Sequence, residues 1–253
     1  MKRIRDLLVA RGEELLARPR RPVDYAKHPQ ADALINDLKR HPHVFVLGCI
    51  MDRQIKAEKA WRIPYEIHRR TATRCFRELT ALSRMDIHRA MGEPTMLHRL
   101  AKVMADNYYA AVQRIDTEYN GDASRIWRGR PSSAAIVRRF LEFDGAGPKI
   151  GTMATNSLVR DFKIPVRDRF SIDVSADVHV RRVFARLGLT RADASVEEVI
   201  YRAREMNPHY PGVFDLPVWE IGRKWCKAKG LRCQSCIMIR CCPTGGGSVP
   251  SSV

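Results

Sequence analysis

Apolar residues recur at helical spacing along most of the chain. Residues 4–17 carry leucines and an isoleucine among charged residues, and Pro19 ends that pattern. The run from Val44 to Met51 is apolar all round, which predicts a central, buried helix. A longer amphipathic stretch from Leu97 to Ile115 is followed by Asn120 and Gly121 as a stop signal. Since no segment shows a convincing alternation of apolar and polar residues, the pattern predicts an all-α fold.

Two amphipathic stretches flank a turn that contains glycine. The first runs from Ile136 to Leu141, and the second runs from Ile150 to Leu158 with Pro148 in its first turn, where a missing N–H costs nothing. Gly145 and Gly147 lie between them. Backbone N–H groups left bare in such a turn, next to a helix N-terminus, bind a phosphate without reading its base. The sequence therefore predicts a helix-hairpin-helix.

Polar residues mark the starts of further helices. Ser133 is a candidate cap for the first helix of the hairpin, and Asp177 is a candidate cap for a later one. Ser195 and Glu198 have the spacing of a capping box. A stripe from Ala72 to Leu82 predicts one more helix.

The charge of the chain points to a class of partner. There are 45 Lys and Arg residues against 28 Asp and Glu residues, so the net charge is +17. Such an excess favours a polyanion, because neutralising phosphates releases condensed counterions. We therefore expect nucleic acid as the partner.

No apolar run in the sequence approaches the roughly 20 residues of a membrane-spanning helix. The basic N-terminus soon reaches Asp6, Glu13 and Glu14, which suits neither a secretory signal nor a transit peptide. We expect a cytoplasmic protein without a membrane partner, associated with the nucleoid in a prokaryote. Its cysteines are then expected to be reduced.

Cysteines are concentrated near the C-terminus. Four of them, at intervals of six, two and five residues, form an array within seventeen residues: Cys226, Cys233, Cys236 and Cys242. Thiolates at this density predict a metal centre. Zinc sites usually pair two short knuckles, whereas only Cys233 and Cys236 are spaced as one. Cys241 competes with Cys242 as a ligand. Cys49 and Cys75 lie in apolar stretches and are predicted to be small core residues.

Three motifs occur in a fixed order along the chain. They are Gly145-Ala-Gly147-Pro-Lys149, then Asp177-Val-His179, then the cysteine array. Together they resemble the endonuclease III family of the helix-hairpin-helix DNA glycosylase superfamily, over roughly residues 30–242. The resemblance implies a two-lobed all-α fold whose C-terminal loop binds a [4Fe–4S] cluster, with Cys242 as the fourth ligand.

The resemblance also divides the chain into domains. Residues 29–168 would form a six-helix barrel containing the hairpin, and residues 1–28 with 169–242 would form the iron–sulfur cluster domain. Residues 243–253 would be a flexible tail, as their Gly and Ser content also indicates. We expect a monomer with its active site in the cleft between the lobes.

Two residues would carry the chemistry that the resemblance implies. Lys149 would form a Schiff base with the sugar, provided that burial near other cations makes its amine partly neutral. The carboxylate of Asp177 would stabilise the cationic transition state, with Asp173 as its rival. Without the resemblance, Lys149 is better interpreted as a solvated phosphate contact, and Asp177 as a plain helix cap.

The resemblance and the charge pattern together assign six residues to a DNA interface: Gly145, Gly147, Arg53, Gln54, Lys229 and Arg232. Gln54 would fill the gap that an extruded base leaves in the duplex. Lys229 and Arg232 belong to a basic patch around the array. For Gln54 the alternative is an exposed polar residue without a function, and for the basic patch it is ordinary solvated charges. Four aromatic residues are candidates for either a base pocket or the core: Trp61, Tyr65, Tyr108 and Tyr109.

The expected function is repair of double-stranded DNA that carries a damaged or mismatched base. A glycosylase with β-elimination lyase activity would remove the base, with an oxidised pyrimidine as the leading candidate. One alternative is a monofunctional mismatch glycosylase acting on adenine or on uracil and thymine, against which Lys149 argues. The other is a non-enzymatic DNA-binding iron–sulfur protein.

Overall fold

Helices make up the regular structure of the protein. The computed structural model describes residues 1–245, and no β-strand occurs in that range, which confirms the all-α class. Twelve α-helices within these residues are α1 Lys2–Ala17, α2 Pro29–Asn36, α3 Pro42–Met51, α4 Ala57–Arg70, α5 Phe76–Thr80, α6 Arg84–Gly92, α7 Ala101–Tyr119, α8 Ser133–Leu141, α9 Pro148–Arg160, α10 Val178–Arg186, α11 Val196–Met206 and α12 Asp215–Lys224. Short 3₁₀ helices cover Ala123–Ile126, Pro211–Phe214, Cys233–Ser235 and Pro243–Gly245.

The chain divides into two compact units. The hairpin unit contains residues 20–131 and 135–165, and the cysteine unit contains, among the described residues, 1–19, 132–134 and 166–245. The barrel and cluster domains expected at 29–168, and at 1–28 with 169–242, stay predictions. Most of the predicted tail, residues 246–253, lies outside the described residues. None of the helices in residues 1–245 has the length and apolar composition needed to cross a membrane.

α3 is the centre of the hairpin unit. All ten of its residues are buried, which confirms the predicted central helix. It packs against α2, α4, α7 and α9. The Phe45 ring lies 5.5 Å from Trp61, 6.0 Å from Trp127 and 5.2 Å from Phe162, measured between centroids. Full burial of one such side chain contributes about 1.5–3 kcal/mol.

α7 ends where the sequence predicts. Asn120 and Gly121 have left-handed φ angles of 51° and 71°, and their N–H groups bond to carbonyls of the last turn. The helix begins later than the apolar pattern, which starts at Leu97. The buried His98 ring accepts the N–H of Leu100 at 3.0 Å and keeps the preceding residues out of the helix.

The helix predicted from Ala72 to Leu82 is wrong in its first part. Ala72 has a left-handed φ of 55° and lies between α4 and the short α5. Thr71 Oγ1 donates to the carbonyl of Ile67 at 2.8 Å and lies 3.0 Å from Thr73 Oγ1. These hydroxyls compete with helical hydrogen bonding, so α4 stops here.

The two cysteines predicted to lie in the core differ in their burial. Cys49 lies in α3 and is fully buried, as predicted, and burial raises the pKa of its thiol. Cys75 lies in extended backbone before α5 and is exposed, so its assignment to the core is wrong. Because the helix breaks at the preceding threonines, Cys75 no longer lies on the apolar face that a continuous helix would have had.

α10 and α12 form the centre of the cysteine unit. α1, α11 and the 3₁₀ helix Pro211–Phe214 pack beside them. Gly222 allows α12 to approach α10, because a Cβ there would lie 2.9 Å from His179 Cβ. The predicted capping box of Ser195 and Glu198 starts α11 and is confirmed.

Ser133 has a different role from the predicted cap. It is the first residue of α8, and its buried hydroxyl donates to Asp168 Oδ1 at 2.5 Å. The same hydroxyl accepts the N–H of Ser171 at 3.1 Å. The hydroxyl thus anchors the segment that leads to Asp173 and Asp177.

Candidate active-site residues and a cysteine-lined cavity

α8 and α9 form the predicted helix-hairpin-helix. The turn between them contains Gly145, whose φ of 80° favours glycine. A Cβ at Gly145 would also lie 2.2 Å from Asn107 Nδ2. Gly151 lets the two helices approach, because a Cβ there would lie 3.2 Å from the carbonyl oxygen of Val137. The geometry of the turn therefore depends on glycine at two positions.

The N-terminus of α9 presents free backbone donors. Gly147 is its N-cap residue without a side-chain cap, and Pro148 occupies the first helical position, as predicted. Among residues 1–245, no protein acceptor meets the N–H groups of Gly147, Lys149 or Ile150. Together with the positive end of the helix dipole, these donors favour an anion.

Lys149 lies in the first turn of α9 and is exposed, whereas the next residue, Ile150, is buried. The apolar stripe of the helix faces the core, so Lys149 points away from it. The protein itself therefore does not bury this amine, and the assignment of Lys149 as nucleophile stays a prediction.

Asp177 caps α10, as predicted. Its Oδ1 accepts the N–H groups of His179 and Val180, both at 2.8 Å. Within the described part of the chain, its Oδ2 has no hydrogen-bond partner, and the residue is only half-buried. One carboxylate oxygen thus holds the helix, while the other is available to a ligand.

Asp173, the rival carboxylate, is differently engaged. It is buried, and its two oxygens accept bidentate hydrogen bonds from Arg204 Nε and Nη2, each at 2.8 Å. Such a fork is a strong, charge-assisted contact. Asp173 therefore has a structural partner for both oxygens, in contrast to Asp177.

Arg53 and Gln54 lie in the turn between α3 and α4, and both are exposed. The N–H of Arg53 bonds to the carbonyl of Met51 at 2.8 Å, which makes the turn tight. Gln54 has a left-handed φ of 57°, a conformation that costs a non-glycine residue about 1–2 kcal/mol. The turn therefore holds Gln54 at a strained, solvent-facing position.

The cysteine array lines a cavity in the cysteine unit that is partly open to solvent, and the empty space within it, open solvent included, is about 400 Å³. Its wall includes all four array residues: Cys226, Cys233, Cys236 and Cys242. Cys241 is not part of this wall; it is buried, and its Sγ donates to the carbonyl of Met238 at 3.4 Å. A Cβ at Gly245 would lie 3.6 Å from Cys242 Cβ, so the backbone itself closes one side.

Cys236 is the array thiol that burial affects most clearly. Burial raises its pKa, and the neighbouring Cys242, Cys226 and Cys233 raise it further. Among the described residues, no three Cys, His, Asp or Glu side chains converge as a single metal ion would need. The thiols line a wider space instead.

Lys229 and Arg232 are exposed in the loop between the first two array cysteines. Gly230 lies between them with a φ of 73°. Their exposure is compatible with either a phosphate contact or ordinary solvation.

Several solved structures have a fold similar to that of this chain. A thermostable thymine-DNA glycosylase matches with a TM-score of 0.63 and 16% identity, over 95% of this chain and 96% of that chain. An endonuclease III trapped as a covalent intermediate with DNA gives 0.58 and 19%, over 87% and 96%. The 8-oxoguanine DNA glycosylase of Methanocaldococcus jannaschii gives 0.53 and 15%, over 86% and 94%.

The chain has the fold of these DNA glycosylase structures. The resemblance drawn from the three motifs is thus confirmed as a likeness of fold. No protein-family model matches the sequence, and no curated protein gives a significant match.

Within this glycosylase fold, Arg182 is a residue whose role the motifs did not reveal. Its Nε donates to the carbonyl of Cys226 at 2.8 Å, and its Nη2 donates to the carbonyl of Gly222 at 3.1 Å. Nη2 also lies 2.9 Å from Nδ1 of His179, a residue that is therefore structural. The helix that Asp177 caps is thus tied to the first cysteine of the array. No local sequence signal marks a contact across 44 residues.

The aromatic candidates separate into two groups. Trp61 is 4% exposed and stacks on Tyr25 with centroids 4.6 Å apart, and Tyr108 is fully buried. Burial raises the pKa of Tyr108. The core interpretation is confirmed for these two, whereas Tyr65 and Tyr109 are half-buried and stay candidates for a pocket.

Proposed function

We propose that the protein is a base-excision-repair DNA glycosylase with β-elimination lyase activity on double-stranded DNA. The observation that carries this proposal is Lys149, exposed directly behind the hairpin glycines at the N-terminus of α9. Asp177, with one carboxylate oxygen free, supplies the second group that the reaction requires. The proposed substrate class is an oxidised pyrimidine.

The reaction would begin when Lys149 Nζ attacks C1′ of the deoxyribose. The bond from C1′ to the base breaks, and the base leaves with the bonding electrons. Asp177 would stabilise the positive charge that develops on the sugar, and the proton that the amine loses would pass to the departing base. The sugar ring then opens: the C1′–O4′ bond breaks, O4′ takes a proton, and an imine forms between C1′ and Nζ. The imine acidifies the C2′ proton, whose removal expels the 3′ phosphate. Contact with DNA, rather than the protein core, would exclude water from Lys149.

DNA would be held by the backbone of the hairpin. The free N–H groups at Gly147 and Lys149 suit a phosphate oxygen, and the neighbouring Gly145 keeps the turn free of side chains. Gln54, held out by its tight turn, would enter the gap left by the extruded base, with Arg53 beside it. Lys229 and Arg232 would add phosphate contacts.

A [4Fe–4S] cluster is the proposed cofactor, with four ligands: Cys226, Cys233, Cys236 and Cys242. Their position around one cavity supports this set, and the bond from Cys241 to Met238 supports its exclusion. Four thiols that line one cavity without three of them converging on a point suit a polynuclear cluster better than one zinc ion, whose ligands lie about 2.3 Å from the metal. With four protein ligands, the cluster would supply a structural anchor for the loop.

Borohydride trapping on an abasic duplex tests the lysine assignment. The unaltered protein is expected to give a covalent complex and strand scission. Lys149→Ala is expected to abolish both, while Lys102→Ala, an exposed lysine of α7, retains them. A trapped complex of undiminished yield with Lys149→Ala would refute the assignment.

A monofunctional mismatch glycosylase is the second candidate, favoured by the match to thymine-DNA glycosylase over 95% of the chain. A panel of duplexes, each with one oxidised pyrimidine, uracil, mismatched thymine, mismatched adenine or 8-oxoguanine, separates the possibilities. Base release without trapping supports the second candidate. Binding without base release from any duplex supports a non-enzymatic DNA-binding protein.

A further inference from the structure

Arg186, the last residue of α10, contacts both ends of the cysteine array. Its Nη1 donates to the carbonyl of Lys227 at 2.7 Å and to Cys226 Sγ at 3.5 Å. Its own carbonyl accepts the hydroxyl of Thr244 at 2.7 Å and faces Cys242 Sγ at 3.6 Å. One residue therefore links the first and the last cysteine of the array.

The guanidinium of Arg186 has no carboxylate partner among the described residues, although it is half-buried. Arg204, in the same unit, is paired with Asp173. Arg186 lies in the wall of the cysteine-lined cavity, and no acidic residue belongs to that wall. A partly desolvated cation is thus directed at a thiol group, which favours a negatively charged occupant of the cavity.

We propose that Arg186 is a positioning residue for an iron–sulfur cluster, which it retains and whose reduction potential it raises. This inference rests on the proposed cofactor. An N–H···S hydrogen bond and a nearby positive charge stabilise the more negative, reduced form of a thiolate-bound cluster. The contacts to Lys227 and Thr244 hold the loop closed around it.

Arg186→Gln tests this role in the full-length holoprotein. It is expected to shift the one-electron potential of the cluster to more negative values, measured by voltammetry. It should also release iron to a chelator roughly 10- to 100-fold faster, as loss of contacts around a metal ligand does. The control is Arg181→Gln on the same helix, because the guanidinium of Arg181 bonds to the carbonyl of Ala194 and not to the cysteine array. This variant should match the unaltered protein in both measurements.

The inference is overturned if Arg186→Gln keeps both the potential and the iron-release rate of the unaltered protein. If that variant does not fold, Arg186→Lys decides instead. Its ammonium keeps the charge but lacks the reach and the planar fork of the guanidinium. Iron release should therefore still accelerate. Unchanged iron release in Arg186→Lys would count against the inference. Absence of iron and acid-labile sulfide from the unaltered protein would refute the proposed cofactor, and the inference with it.

Discussion

The hairpin turn and the cysteine loop, the two segments central to the proposed function, are held in shape by different means. The shape of the turn is set by the backbone, because Gly145 adopts a left-handed φ and Gly151 allows the two helices to approach. The loop from 226 to 245 has only two short 3₁₀ helices and is held by arginines of α10 around a cavity. A shape set by the backbone is complete in the chain itself, whereas a loop around a cavity depends on what fills it.

The largest effect is expected from removing a ligand of the cysteine loop. Cys242→Ser should lose the iron and destabilise the cysteine unit by several kcal/mol. The reason is that cluster binding to a loop that does not close by itself contributes directly to the free energy of folding. Iron content, visible absorbance and chemical denaturation measure this. Cys241→Ser is the matched control and should keep the cluster, since its Sγ faces the Met238 carbonyl. The opposite pattern would exchange the roles of the two cysteines.

Acid should act on the hairpin unit through a buried histidine pair. His43 Nε2 lies 3.3 Å from His68 Nε2, and burial lowers the pKa of His43 from 6.5 to about 3. Between these values the unfolded chain binds a proton that the folded chain does not. The contribution of neutral His43 to the free energy of unfolding is therefore fully present above pH 6.5. It is lost progressively as the pH falls towards 3, by about 1.4 kcal/mol per pH unit at most.

Urea denaturation followed by tryptophan fluorescence at several pH values checks this acid dependence. His43→Gln should flatten the slope between pH 6 and pH 4, whereas His209→Gln, an exposed histidine of the cysteine unit, should leave it unchanged. An equal slope in His43→Gln and the unaltered protein would show that other groups cause the acid sensitivity.

A smaller effect is expected in the hairpin turn. Gly145→Ala should cost about 1–3 kcal/mol, because alanine at a φ of 80° is strained and its Cβ would meet Asn107. Gly147→Ala should cost less than about 1 kcal/mol, since its φ is ordinary and no atom lies within 4 Å of the added Cβ. Denaturation midpoints of the two variants measure the difference. Equal costs would mean that the turn is not held by its backbone.

Local patterns predicted the helices and their ends. The apolar run of α3, the cap at Asp177 and the capping box at Ser195 all involve residues within a few positions of one another. The failures at Cys75 and Ser133 have a common physical cause. In each case a hydroxyl forms a hydrogen bond that the apolar periodicity does not show, one at the end of α4 and one with a segment 35 residues away.

The site residues were only partly accessible to the same reasoning. Motif spacing predicts Lys149 and Asp177 as site residues, but it did not show that Lys149 is exposed or that Asp173 is paired with Arg204. Arg182 was missed because its partner lies 44 residues later in the chain. In the sequence, its charge and helical position identify such an arginine only as a polar residue. Its acceptors are backbone carbonyls, which any residue type supplies, so the partner residues carry no sequence signal either.

The smallest effect on stability is expected at Asp177. Asn caps a helix about as well as Asp, so Asp177→Asn should change the free energy of unfolding by less than about 0.5 kcal/mol while strongly reducing base release. Asp173→Asn is the comparison, because it removes the charge that pairs with the part-exposed guanidinium of Arg204 and should cost about 1–2 kcal/mol. Denaturation and single-turnover base release distinguish the two. If Asp177→Asn destabilised the protein as much as Asp173→Asn does, the charge of Asp177 would be structural, and its assignment to the reaction would lose its support.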